Sequence, residues 1–219
     1  MASHQQQEPS PPPQQQSTLL DFNAERLIGT WKQLLVIPTW NQPASATNSP
    51  AEYAWVDETA KNEIMVKNTQ QIASGQIQTI MGVATCPDAK EAPNKLTVDF
   101  FSSRANAVAD AEHKKKTEMN GNQEGNDTLR FRDYLRTWST LTPALFAKWT
   151  TSSKRPNYIV YAYGHSFSWI LVGSANKHHG WVLSKSTDLS CQEWNKINQT
   201  LRDVGFNRAS FVATLHSAC

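Results

Sequence analysis

The side chains able to act as nucleophiles, acids, bases or metal ligands are scattered along this chain rather than clustered. Six histidines and three cysteines are present. None of the serines sits in a Gly-x-Ser-x-Gly turn, no two histidines have the His-x-x-x-His spacing of a helical metal site, and no glycine-rich loop could cradle a phosphate. His178 and His179 are adjacent, in a turn before a strand-like run. Neighbouring residues on a strand point to opposite faces, so a shared metal is not expected there. Cys86, Cys191 and Cys219 are too few and too far apart for a zinc site or a disulfide scaffold. Spacing leaves a Cys86–Cys219 bridge open in an oxidising compartment, while Cys191 falls in a helical stretch as a free thiol. The expectation is no catalytic residue, no metal and no required cofactor.

Aromatic residues carry the stronger signal. Eight Trp, eight Phe and five Tyr fall repeatedly inside short alternating segments, which suit a pleated surface with one buried face. Thr30–Ile37, Glu52–Val56, Glu63–Lys67, Gln76–Thr85 and Lys95–Phe100 are such runs, joined by connections of hairpin length. Asn157–Tyr163, Phe167–Val172 and Trp181–Ser184 follow after a long break. With no helices between the first five runs, the pattern predicts an antiparallel meander, not a βαβ fold, and the three later runs bring the tally to eight strands. A helix then starts at Asp188 or Ser190, carries Trp194, Ile197, Leu201 and Val204 on one face, and ends at Gly205.

In this frame the chain resembles a lipocalin of the bacterial-lipocalin and apolipoprotein D branch. Three blocks carry the resemblance. The first is Phe22…Arg26-Leu27-Ile28-Gly29-Thr30-Trp31, with its Gly-x-Trp turn into the first strand. The second runs from Glu52-Tyr53 through Val66-Lys67-Asn68 to Gly75…Gly82-Val83-Ala84. The third is Tyr158-Ile159-Val160, Trp169–Gly173 and Trp181–Lys185, followed by the helix and Gly205-Phe206. The resemblance implies an all-β fold: an eight-stranded antiparallel up-and-down β-barrel, the lipocalin calyx, with a C-terminal α-helix packed outside. It also implies that Trp31 plugs the closed end, beside Gly29, with Lys185 against its ring where the family more often has arginine. Ala162-Tyr163-Gly164-His165 departs from the family's Thr-Asp-Tyr-like element.

A barrel of this size encloses room for one small ligand. Alternation in the family register sets Leu35, Ile37, Tyr53, Trp55, Ile64, Val66, Ile80, Val98, Phe100, Tyr158, Val160, Ile170, Val172, Trp181 and Leu183 toward the interior. Tyr53 and Tyr158 are the groups expected to orient a guest. The expected function is non-enzymatic binding, transport or storage of a small hydrophobic ligand: a fatty acid, lysolipid, sterol, retinoid, carotenoid or tetrapyrrole, with a bound lipid or pigment as its only small-molecule partner.

Two segments lie outside the barrel pattern. Residues 1–18 are rich in Gln and Pro and are expected to form a disordered tail before a lipocalin domain at 19–219. Residues 102–155 are an insertion: 102–128 reads as a solvated charged loop, and 129–149 as an amphipathic helix interrupted by Pro143. Ala144–Trp149 is an alternative fifth strand to Lys95–Phe100. Arg130, Arg132 and Arg136 beside Phe131, Tyr134 and Trp138 support an alternative function, a structural or interaction subunit docking a protein or membrane surface through 129–149. The formal charge of +2 is too small to suggest nucleic acid, and no apolar run approaches the roughly 20 residues that span a bilayer. As written, the N-terminus has no signal-peptide core, which reads as cytoplasmic, or as secreted or organellar if a leader has been removed. Sequons at Asn126 and Asn198 lean toward secretion. Oligomeric state is open.

Overall fold

The computed structural model describes residues 19, 22–39, 42–100, 102–120, 128–130 and 155–216. A short 3-10 turn, Ala24–Leu27, is capped by Asn23, whose side chain accepts from the Glu25 N–H. It leads into β1 (Gly29–Val36), β2 (Pro50–Trp55), β3 (Ile64–Gln71), β4 (Ile77–Thr85) and β5 (Lys95–Asp99). Then come α1 (Ser103–Asn120), β6 (Thr128–Arg130), β7 (Tyr158–Tyr163), β8 (Trp169–Gly173), β9 (Gly180–Ser184), α2 (Cys191–Val204) and β10 (Val212–Ala213).

Neighbouring strands pair in the order β1-β2-β3-β4-β5-β7-β8-β9, and β9 pairs back onto β1. Eight antiparallel strands therefore close into a barrel, which leaves the sheet without a free edge at that seam. The fifth strand is the one at Lys95–Asp99. Because β5 is short, asparagine side chains extend its ladder to β7. The Asn157 amide both accepts from the Val98 N–H (2.8 Å) and donates to its carbonyl (2.8 Å). Asn94 does the same for Val160 from the other end, its side chain donating to the carbonyl and its backbone oxygen accepting from the N–H. Two strands lie beyond the barrel. β10 pairs with the end of β1, and β6 runs parallel to Ile77–Thr79 of β4.

Helix α2 follows the sequence pattern closely. Ser190 caps it and Glu193 closes the reciprocal capping box, while Gly205 ends it in the left-handed conformation (φ 85°). Its apolar face carries Ile197 and Leu201 onto a second core, built on the outer barrel face from Leu34, Trp169, Leu171, Val182, Phe206 and Phe211.

Two readings of the insertion are corrected. Residues 103–120 form a helix, not a solvated loop. Ala105, Ala107, Ala109 and Ala111, with Glu and Lys among them, are strong helix formers, and that propensity outweighs the charge run. At the other end Thr128–Arg130 is a strand, so the amphipathic helix expected from Leu129 does not begin there. The remainder of that helix (131–149), the alternative strand at 144–149 and the N-terminal tail at 1–18 lie outside the described residues.

Candidate ligand-binding site

The barrel interior is one continuous apolar cluster. Trp31, Ala51, Tyr53, Ile64, Val66, Ala84, Leu96, Val98, Val160, Ile170, Val172 and Leu183 are buried in it, and Trp55, Phe100, Tyr158 and Trp181 pack against it. Cross-strand register explains the set. Tyr53 faces Val66, Trp55 faces Ile64, Ala84 faces Val98, Val172 faces Trp181, and Ile170 faces Leu183. Ile80 shares the Ile64–Val66 face of the β3–β4 pair, opposite Asn68.

Leu35 and Ile37 are corrections to the expected interior set. Both pack on the outer core beneath α2. The cause is a β-bulge in β1 opposite β9: Gln33 pairs with Leu183, but Leu35 pairs with Val182, so the alternation shifts by one residue. Gln33 and Val36 consequently share the inward faces of Leu183 and Trp181. A β-bulge leaves no clear mark in an apolar run such as Leu34-Leu35-Val36-Ile37, which is why strict alternation misplaced two residues.

The two ends of the barrel differ. At the start of β1, Trp31 is fully buried, its indole N–H donates to the Leu27 carbonyl (2.7 Å), and Lys185 Nζ lies 3.8 Å from the ring centroid. The same ammonium reaches the Ile28 carbonyl at 3.4 Å. Phe22 and Leu27 are buried beside the indole. The β7–β8 turn completes this closure: Phe167 stacks on Tyr163 (centroids 4.1 Å apart, planes at 12°) and lies under the Arg26 guanidinium at 5.3 Å. Ser166 and Phe167 both hold left-handed φ angles (51° and 57°), a strained pair that the stacking keeps in place. A groove of about 450 Å³ on this outer surface is lined by Arg26, Tyr163, Gly164, His165, Ser166 and Phe167.

At the opposite end Ile80, Phe100, Tyr158 and Trp181 keep partial exposure although the register turns them toward the interior. The β1–β2 connection is fastened here through Gln42. Its side chain accepts from the Trp181 indole N–H (2.8 Å) and donates to Gln33 (2.7 Å), which in turn donates to Thr214 (2.7 Å). Nothing local in the sequence marks Gln33, Gln42 and Thr214, because polar contacts between residues so distant in the chain have no local pattern.

The polar feature inside the apolar wall is a pair of phenols. The hydroxyls of Tyr53 and Tyr158 are 2.7 Å apart. Burial pushes the Tyr53 phenol up to about 12, against the weaker opposing effect of its hydrogen bond. Burial, reinforced by its neighbour Tyr53, holds Tyr158 well above the usual phenol range. Both are therefore neutral at any physiological pH. The other polar side chains at inward strand positions are the amides Gln33, Asn68, Gln70 and Gln78 and the phenol of Tyr163, which shares the face of Ile170. The one ion pair of β2 and β3, Lys67 with Glu52 at 2.8 Å, joins residues that alternate with the inward set and face outward.

The remaining expected groups are apart from this site. His179 is half-buried near the Trp181 ring, while His178 is exposed. Among the described residues no group of three or more His, Cys, Asp or Glu is placed to hold a metal. Cys86 is half-buried, its thiol directed at the carbonyls of Ala92, Pro93 and Lys95, and its expected partner Cys219 lies outside the described residues. Cys191 is exposed at the start of α2. Of the sequons, Asn126 lies outside the described residues. Asn198 accepts a hydrogen bond from Arg208, and Thr200 of the same triplet is buried.

A closed, eight-stranded antiparallel barrel with an external C-terminal helix is a lipocalin calyx. The Lipocalin-like domain family matches the chain twice, over residues 22–116 and 112–216, so the chain belongs to the lipocalin family. No curated protein sequence matches it. Among solved structures it is similar to the cockroach major allergen Per a 4, with 13% identity over 90% of each chain and a TM-score of 0.52. It is also similar to lobster apocrustacyanin A1, with 13% identity over 90% of this chain and 81% of that one, at a TM-score of 0.50. At such identities these likenesses speak to the fold.

Proposed function

We propose that the chain binds a small hydrophobic molecule non-covalently inside the calyx, as a carrier or store rather than an enzyme. One observation carries this reading: the closed barrel turns a continuous set of aromatic and aliphatic side chains inward, and Ile80, Phe100 and Trp181, toward the end where β1 finishes, keep partial exposure. Ligand pockets are typically such concave apolar surfaces with a few polar groups that fix orientation. Here the phenol pair and the Gln33–Gln42–Trp181 network supply those groups. The paired phenols of Tyr53 and Tyr158 are held above their usual pKa, which suits hydrogen bonding better than proton transfer near neutral pH.

The test is native mass spectrometry with organic extraction of protein purified from its own source, together with an absorption spectrum. A stoichiometric lipid or pigment is the expected result. An empty protein that also leaves the fluorescence of hydrophobic probes unchanged would overturn the proposal.

A further inference from the structure

The phenol pair does more than decorate the wall. In the closed strand order β2 and β7 are separated by four steps in either direction, so they stand opposite each other across the barrel. Tyr53 belongs to β2 and Tyr158 to β7. Their 2.7 Å hydrogen bond therefore spans the interior as a crossbar from wall to wall. A guest reaching the middle of the calyx has to lie against this bar or part it.

Each course has a chemical consequence. Two hydroxyls own two protons, and one of them serves the mutual bond. Neither oxygen has another partner among the described residues. A molecule lying against the bar is offered the second O–H as a donor. A molecule that parts the bar must satisfy two buried phenols at once. A hydrocarbon does neither, and a buried hydroxyl stripped of its partner carries a substantial desolvation penalty. An ionised guest is disfavoured for a different reason. The polar side chains at inward strand positions are phenols (Tyr53, Tyr158, Tyr163) and amides (Gln33, Asn68, Gln70, Gln78), with no ammonium or guanidinium among them, so a buried carboxylate would meet no countercharge from them.

We infer that the ligand of this calyx is a neutral, oxygen-bearing hydrophobic molecule, an alcohol, ketone or aldehyde, whose oxygen is held by the Tyr53–Tyr158 crossbar. This inference rests on the carrier reading above and narrows its ligand class. It sets fatty acids and pure hydrocarbons below alcohols and ketones of the same skeleton.

The experiment is competition of decane, decanol, decan-2-one and decanoate against N-phenyl-1-naphthylamine on the full chain near neutral pH. It is repeated with Tyr53→Phe, Tyr158→Phe and the double Tyr53→Phe/Tyr158→Phe variant. The expected result is that decanol and decan-2-one bind about ten- to a hundredfold more tightly than decane, the range set by leaving one buried hydroxyl unpaired. Decanoate should be weaker than decanol, and the preference for oxygen should collapse in the double variant, whose wall is apolar on both sides. If one variant fails to fold, the other single variant still reads the loss. Equal affinity for decane and decanol in the wild type would overturn the inference, as would an oxygen preference that survives in the double variant. Decanoate binding more tightly than decanol would overturn the neutral part. Failure of the naphthylamine probe itself to bind would instead strike the carrier reading, so the two failures are distinguishable.

Discussion

Removing one hydroxyl of the Tyr53–Tyr158 pair should destabilise the fold more than removing both. In Tyr158→Phe the Tyr53 oxygen stays buried with no partner among the described residues, which costs about 1–3 kcal/mol. The reciprocal variant costs a similar amount. The double variant replaces both partners with apolar groups of nearly the same shape, for which the expected cost is about 1 kcal/mol or less. A double-mutant cycle by urea denaturation should therefore show a coupling of about 1–3 kcal/mol, within the range known for residues in direct contact. The same pair fixes an alkaline limit. The Tyr53 phenol is raised from 10.0 to about 12, so the folded protein retains a proton that the unfolded chain releases. Stability from this group is intact below about pH 10 and is lost as pH rises through about 12, amounting to roughly 3 kcal/mol. Because the two phenols titrate as a coupled pair, the loss belongs to both. Absorbance at the phenolate band, followed alongside denaturation, separates their late titration from that of exposed tyrosines. Additive single-variant costs, or the same alkaline loss in Tyr53→Phe as in the wild type, would refute the reasoning.

Three further outcomes follow from other parts of the barrel. Trp31→Ala removes a fully buried indole and should cost about 3–5 kcal/mol in urea denaturation, whereas Lys185→Met should cost about 1 kcal/mol or less. Leu35→Ala should destabilise by about 2–5 kcal/mol yet leave probe affinity unchanged, because Leu35 packs under α2; Phe100→Ala should weaken probe binding instead. Gly82→Ala places a Cβ 2.6 Å from the Phe100 ring and 2.8 Å from the Asp99 carbonyl, and should lower stability by about 1–3 kcal/mol with a change in probe affinity, since Phe100 has to move.

The barrel was legible because each strand carries its own evidence. Alternation between turns marked β1 to β5, and the run of tight connections after Asn157 marked β7 to β9. Helix α2 carried a cap, a four-residue apolar spacing and a glycine stop, and all three are used. What escaped was either non-local or ambiguous within its own window. In Leu34-Leu35-Val36-Ile37 every residue is apolar, so only the register against Val182 and Leu183 reveals the bulge. In α1 the lysine run dominates its window and masks the alanines, although helix propensity is set by each residue separately. The strands β6 and β10 are two or three residues long and exist only because β4 and β1 offer edges beside them.

Tyr53 and Tyr158 show where sequence reading reaches its limit at the site. Each could be assigned inward from its own strand, and each could be seen as a polar group in an apolar wall. That they meet depends on which strands enter the closed circuit. β6 lies outside it, so β7 takes the sixth place and stands opposite β2. Had β6 entered the circuit between β5 and β7, the barrel would have gained a strand and β7 would have shifted away from the diameter through Tyr53. The insertion after β5 thus matters to the site through topology: by keeping its short strand on the edge of β4, it leaves the eight-strand count that brings the two hydroxyls to 2.7 Å. The crossbar is a property of barrel closure more than of either tyrosine, and ligand selectivity built on it should be as sensitive to strand register as to the phenols themselves.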